Sequence, residues 1–303
     1  MSMQSKLSLG TAQWGMDYGW ANRSGRPGIS ELETMLEMAL AAGVRHLDTA
    51  QCYGNAEEIL GALGAAKAGF KINSKLNQIG KAETASSILE KFKVTERALK
   101  VERIESLMVH NAEDLLGSNG DVVWSTFRGL LAEERVGRIG VSVYHPEELE
   151  KLLHLEDLGI VQVPLNIYDQ RFLNTEWLGK LKEQAVVIQV RSIFLQGTLT
   201  LSPGSLPIHL QSIREHQQRL TSSLGEHGLS LVEGALRFGC SQPEVDQVIV
   251  GCENATQLPQ ILNAIKNATG SPHIDWAQFG MQDLAVIDPS RWPQKPKLVQ
   301  AGS

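Results

Sequence analysis

Val44-Arg45-His46-Leu47-Asp48-Thr49-Ala50-Gln51-Cys52-Tyr53-Gly54 joins two amphipathic segments, and its reading decides the fold. Before it, Leu32, Met35, Leu36, Ala39 and Leu40 fall on one helical face. Ser30 is the expected cap of that helix, Glu33 closes a capping box, and Gly43 is the stop. Residues 44–47 then read as a short strand ending at Asp48. Asn55 and Glu58 repeat the capping signature ahead of Ile59, Leu60 and Leu63, so a second helix follows within a few residues. A strand set between helices of this length is the unit of a parallel sheet.

The unit recurs along the chain. Strands are expected near residues 70–76, 104–109, 139–143, 160–163, 186–190 and 248–250, with residues 7–9 as the first. Helices are expected over 88–99 and 122–135, from Pro146, and through Leu258, Ile261, Leu262 and Ile265. Eight strands alternating with helices close into a (β/α)₈ barrel, the TIM barrel of α/β proteins. A doubly wound open sheet is the competitor, but Gly10-Thr11-Ala12-Gln13 lacks the G-x-G-x-x-G fingerprint such a sheet carries after an early strand. No linker divides the 303 residues, so one domain spans 1–303, with an irregular tail from about 271 marked by Pro289, Pro293 and Pro296.

Composition narrows the function classes. The formal net charge is −6, and lysines and arginines are scattered rather than gathered in a stripe, which argues against a nucleic-acid partner. No apolar run approaches the roughly 20 residues that span a bilayer, so no membrane segment is expected. Cys52, Cys240 and Cys252 show no metal-ligand spacing, so no metal is expected. With no leader pattern at the N-terminus, the expected compartment is the cytoplasm. Nothing in the sequence assigns an oligomeric state.

The chemistry comes from where strands stop. All strands of a barrel open their carboxyl ends on one face, so Asp48, Lys75 and His110, each at the end of an apolar run, converge there with Tyr53. A phenol ionises near pH 10, and a neighbouring ammonium is expected to bring it down. Asp48 would hold Lys75 charged and oriented, and His110 would orient a substrate oxygen. Such a set polarises a carbonyl and protonates the alkoxide formed when hydride arrives, and hydride demands a nicotinamide or flavin. Ser142 and Gln162, read as strand ends, suit a carboxamide; Arg191-Ser192 and Leu195-Gln196-Gly197 suit a diphosphate; Gly251 gives backbone access beside the last strand. Singly, each has a plainer reading, as a structural ion pair, a core histidine or a polar strand end. The conjunction carries the inference.

Leu47-Asp48-Thr49-Ala50-Gln51-Cys52-Tyr53-Gly54 resembles the D-x-A-x-x-Y-G motif of the aldo/keto reductases. Leu9-Gly10-Thr11-Ala12 is similar to the family's opening segment, Lys75 and His110 fall on its lysine and histidine, and Gly137-Arg138-Ile139-Gly140-Val141-Ser142 resembles its G-x-I-G-V-S strand. Residues 161–166 and 248–251 continue the order, so the resemblance spans roughly residues 7–267. It implies Tyr53 as general acid, tuned by Lys75 and Asp48, with His110 placing the carbonyl of a small-molecule substrate. It implies NADPH or NADH across the barrel mouth, held by Gly10, Thr11, Ser142, Gln162, Arg191, Ser192, Leu195, Gly197, Gly251, Glu253, Asn254, Gln257 and Asn263.

Three positions depart from the family pattern. Val143 replaces an asparagine, and Arg191 stands where many members place an aromatic ring under the nicotinamide. Glu253 puts a carboxylate where NADPH users hold a 2′-phosphate, which brings NADH into play, although the family's bias keeps NADPH first. Trp14, Trp20 and Tyr144 are the expected pocket aromatics, with Tyr18, Trp276 and Phe279 as further candidates, and Gln51 and the Asp17-Tyr18-Gly19 loop suit a sugar-like aldehyde. The alternative is a nicotinamide-binding regulatory subunit with weak turnover, on the pattern of channel beta subunits sharing this barrel. A barrel performing sugar isomerisation or elimination without external hydride is a third.

Overall fold

The computed structural model describes residues 3–267 and 274–295. Its eight strands are β1 Leu7–Gly10, β2 His46–Asp48, β3 Lys71–Leu76, β4 Ser106–Val109, β5 Ile139–Ser142, β6 Leu158–Pro164, β7 Val187–Arg191 and β8 Gln247–Gly251. They pair in chain order, all parallel, and β1 closes on β8 with Leu7 opposite Val248 and Gly10 opposite Gly251. This is the expected eight-stranded barrel. Around it lie α1 Ile29–Ala41, α2 Ala56–Ala62, α3 Ala85–Leu99, α4 Gly120–Ala132, α5 Pro146–Leu152, α6 Trp177–Glu183, α7 Arg214–Glu226, α8 Leu231–Ser241 and α9 Gln257–Asn267.

Local chemistry departs from expectation at two helix starts. Gly28, not Ser30, caps α1; Ser30 lies inside the first turn, where its carbonyl accepts from the Thr34 hydroxyl at 3.1 Å. Asn55 does stand at the cap of α2, but its side chain makes no capping bond and instead accepts from Arg26 at 3.3 Å. The strong cap is Thr84 on α3, where Thr84 and Ser87 exchange side-chain and backbone hydrogen bonds. Gly43 follows α1 with φ +87°, the left-handed turn that glycine adopts without cost.

β3 runs as expected through Lys75, which lies inside the barrel, fully buried. Gln162 does not end β6; the strand runs on to Pro164 and the glutamine is buried in mid-strand. Between β5 and β6 the register shifts at Ile139 and Gly140, and a Cβ on Gly140 would overlap the Ile160 carbonyl oxygen.

The barrel interior is polar near its axis. Residues two apart on a strand share a face, so His46 and Asp48 both point inward. A file of side chains links them from above: Gln162 donates to Asp48 at 2.8 Å and to Gln189 at 2.5 Å, Gln189 donates to Gln247 at 2.9 Å, and Gln247 reaches His46 at 3.3 Å. Apolar residues such as Leu47, Leu107, Val141, Val161 and Ile188 pack with the helices in the main core.

The tail is not wholly irregular. Short helical turns occupy Trp276–Phe279, Leu284–Ile287 and Pro289–Arg291. Lys295 ties it to the loop after β1, donating to the carbonyls of Gly19 and Asn22 at 2.8 Å each. Pro296 lies outside the described residues. Among those residues no helix is long and apolar enough to cross a membrane.

Candidate active site at the carboxyl ends of the strands

A cavity of about 620 Å³ opens at the carboxyl ends of the strands, and Asp48, Tyr53 and His110 reach its wall. Lys75 lies behind them. Its ammonium donates to both oxygens of Asp48, at 2.7 and 2.8 Å, and to the Thr49 carbonyl at 3.0 Å. Burial pulls Lys75 below its ordinary value, opposed by the Asp48 carboxylate.

Tyr53 lies in the turn after β2 and is placed by backbone contact. Gly54 beside it has φ +60°, and a Cβ there would overlap the Gly15 carbonyl; a Cβ on Gly15 would overlap the Tyr53 carbonyl in turn. Two glycines are needed for these loops to touch, and the contact aims the phenol. Its ring stands edge-on to His110, centroids 5.9 Å apart and planes at 83°, and Lys75 Nζ lies 5.1 Å from its centroid. The Tyr53 hydroxyl makes no hydrogen bond to the described protein and is not sealed from the cavity.

The electrostatics correct one expectation. The phenol is not brought down: burial pushes it well above its usual value, the Asp48 carboxylate adds to this, and Arg191 pulls the other way. The resting tyrosine is therefore a neutral donor. His110 is neutral too, pulled down to about 3 by burial and by the charges of Lys75 and Arg191. Its Nδ1 lies 3.3 Å from Cys52 Sγ, which leaves Nε2 toward the cavity.

Of the residues assigned to a cofactor, Gly10, Gln162, Arg191, Ser192, Gly197, Gly251, Glu253 and Gln257 line this cavity. Others stand off it. Thr11 turns its hydroxyl to the Asp48 carbonyl at 3.1 Å, Ser142 and Leu195 are buried, and Asn263 is exposed on α9. Asn254 serves as an anchor for the start of α9, accepting from the backbone N–H of Gln257 at 2.9 Å. Glu253 and Gln257 hold one another: the Glu253 backbone donates to Gln257 at 3.0 Å, the Gln257 amide returns a contact at 3.4 Å to the carboxylate, and burial raises the Glu253 carboxyl.

Of the pocket aromatics, Tyr144 lines the cavity while Trp14 and Trp20 do not. Trp14 is core, its indole donating to the Cys252 carbonyl at 3.3 Å, and Trp20 packs with His209 and with Trp292 of the tail. Trp276 and Phe279 pack on Phe238 and His216, and Gln51 turns away to Lys91 and Thr95. Tyr18 and Phe194 supply the apolar wall instead, with Cys52, Asn77 and Gln13 beside them. Phe194 carried no signal beyond its place in the residues 191–197 loop. Cys52 was visible only as a link between Asp48 and Tyr53.

These residues suit a dinucleotide. Gln162 lines the cavity, with its amide nitrogen taken by Asp48 and Gln189 and its Oε1 buried without a partner among the described residues. Among the described residues no group of three His, Cys, Asp or Glu side chains could hold a metal ion.

The known proteins similar to this chain agree with the geometry. A Mycobacterium ulcerans aldo-keto reductase is 26% identical over 268 residues, covering 86% of each chain. An uncharacterized oxidoreductase of Schizosaccharomyces pombe is 28% identical over 190 residues, which is 55% of this chain and 57% of that protein. Among solved structures, the holo form of an aldo-keto reductase from Bacillus halodurans superposes with a TM-score of 0.72 at 18% identity over 95% of each chain. A glycerol dehydrogenase from Gluconobacter oxydans does so with a TM-score of 0.70 at 20% identity over 96% of this chain and 94% of its own. These two show the shared barrel. The model of the Aldo/keto reductase family matches residues 6–272, and the chain belongs to that family.

Proposed function

We propose that this protein is an NAD(P)H-dependent oxidoreductase that reduces an aldehyde or ketone to the alcohol, with Tyr53 as the acid. One observation carries the reading: the unpartnered Tyr53 hydroxyl and the neutral His110 imidazole face one cavity, backed by the buried Lys75–Asp48 pair. The nicotinamide, when bound, supplies hydride to the carbonyl carbon. His110 holds the carbonyl oxygen through Nε2, and the alkoxide that forms there takes the Tyr53 hydroxyl proton. Burial keeps the phenol neutral until that moment, and the Lys75 ammonium, 5.1 Å from the ring centroid, then faces the phenolate left behind.

Gln162 on the cavity wall is the residue for the carboxamide, and Gly251 with the start of α9 is the end for the adenosine. The family's bias puts NADPH first, and Glu253 is the residue that opposes it. The test is Tyr53→Phe, assayed for carbonyl reduction and, separately, for cofactor binding by quenching of tryptophan emission. Reduction should fall by about 10²- to 10⁴-fold with binding retained. Reduction at a comparable rate would remove Tyr53 as the acid, and no saturable response of the wild type to either nucleotide would remove the cofactor.

A further inference from the structure

Arg191 carries an unneutralised charge beside the proposed reacting groups. It ends β7, half-buried on the cavity wall, with its guanidinium 4.2 Å from the ring centroid of Tyr144. Nη2 donates to the Val143 carbonyl at 3.2 Å and Nη1 to the Ser192 hydroxyl at 3.4 Å. Both acceptors are neutral. Two other partly buried arginines are matched: Arg171 is bound by both oxygens of Asp169, at 2.8 and 2.9 Å, and Arg138 by Glu105 at 2.6 Å. Among the described residues, Arg191 has no ion pair with a carboxylate.

Its position is as telling as its lack of a counter-ion. Arg191 shares the cavity wall with Tyr18, Tyr53 and His110, and its charge pulls the Tyr53 phenol and the His110 imidazole down. Lys75 is sealed behind Asp48, which leaves Arg191 as the sole lysine or arginine among the described residues lining the wall. Glu253 on the same wall is held by the Gln257 amide at 3.4 Å. With its Cζ 4.2 Å over the Tyr144 ring, the guanidinium is held in place and keeps N–H groups for a planar oxyanion. A partly desolvated cation without a partner is costly, and an anion arriving with the ligand recovers that cost.

We infer that Arg191 is the counter-ion for an anionic group carried by the carbonyl substrate itself, a carboxylate or phosphate a few atoms from the carbonyl. This rests on the carbonyl reduction proposed above and narrows its substrate class from aldehydes and ketones in general to oxo acids and phosphorylated aldehydes. The cofactor diphosphate is the other source of such an anion. Proximity to Tyr53 and His110 favours the substrate.

Matched pairs test it: succinic semialdehyde against butanal, and glyceraldehyde 3-phosphate against glyceraldehyde, with wild type, Arg191→Gln and Arg191→Lys. In at least one pair the ratio of kcat/KM, anionic over neutral, should fall by about 10- to 100-fold in Arg191→Gln and recover in part in Arg191→Lys. An unchanged ratio in both pairs overturns the assignment. If cofactor affinity drops about tenfold while the ratio holds, the guanidinium belongs to the diphosphate. Should the wild type reduce no carbonyl, the parent reading falls and calorimetry with butanoate and inorganic phosphate decides this one. Binding lost in Arg191→Gln supports it; equal binding, or none to the wild type, overturns it.

Discussion

The carboxamide nitrogen of Gln162 donates to Oδ1 of Asp48 at 2.8 Å, joining the sixth strand to the second across the barrel. It is the third donor to that carboxylate, after the two contacts from Lys75. Gln162→Leu leaves Asp48 and Gln189 each short of a donor in a buried setting. It should cost about 1.5–3 kcal/mol in urea denaturation, the range for a bond to a charged group. Wild-type stability in this variant would show that the bond contributes nothing.

The Lys75–Asp48 pair predicts non-additive mutants. Lys75→Met strands a buried carboxylate and should destabilise by about 3–5 kcal/mol, whereas Lys75→Met with Asp48→Leu removes both charges and should recover most of the loss. A double mutant as unstable as the sum of its singles contradicts the pairing.

His110 predicts a pH dependence of stability. Its folded-state value is about 3 against an ordinary 6.5, so the unfolded chain takes up a proton that the folded chain refuses. The resulting stability is complete above pH 6.5 and is lost as pH falls toward 3. Chemical denaturation over that window should show a shallower decline for His110→Gln than for wild type. Parallel curves would place the imidazole in contact with water.

Cys52 predicts a tautomer. Burial pushes the thiol up, so S–H persists beside His110 Nδ1 and can donate to it, fixing the ring proton on Nε2. Nitrogen-15 spectra should show the Nε2–H form in wild type, a mixture in Cys52→Ala, and recovery in Cys52→Ser. The Nδ1–H form in wild type would reverse the donor and remove Cys52 as a positioning residue.

Glu253 predicts cofactor preference. With its carboxylate on the cavity wall and only Gln257 as its hydrogen-bond partner, it repels a 2′-phosphate. Glu253→Ser should raise the affinity for NADPH relative to NADH by about tenfold, read by fluorescence titration. An unchanged ratio means that the carboxylate does not face the ribose.

Strand order, barrel closure and the gathering of Asp48, Tyr53, Lys75 and His110 at one end of the barrel were legible because each depends on local pattern. Val109 and Leu47 end apolar runs, and the polar residue that follows each must sit at the open face. Gln162 was misplaced by two residues for the same reason, since an apolar run does not reveal where its hydrogen-bonded ladder stops. The misreading of Trp14 and Trp20 has another cause. Both follow β1 closely, but whether an indole faces cavity or core depends on what packs opposite it, here the Cys252 carbonyl and the Trp292–His209 cluster.

The sequence by itself determined the alternation of strands and helices, their number, and a motif specific enough to name a family, because period, caps and spacing act over a few residues. The tertiary structure alone decided the charges of the site. It paired Lys75 with Asp48, left Tyr53 and His110 neutral, and left Arg191 without a carboxylate partner among the described residues. Those outcomes depend on burial and on distances between residues from different strands, and neither exists until the barrel closes.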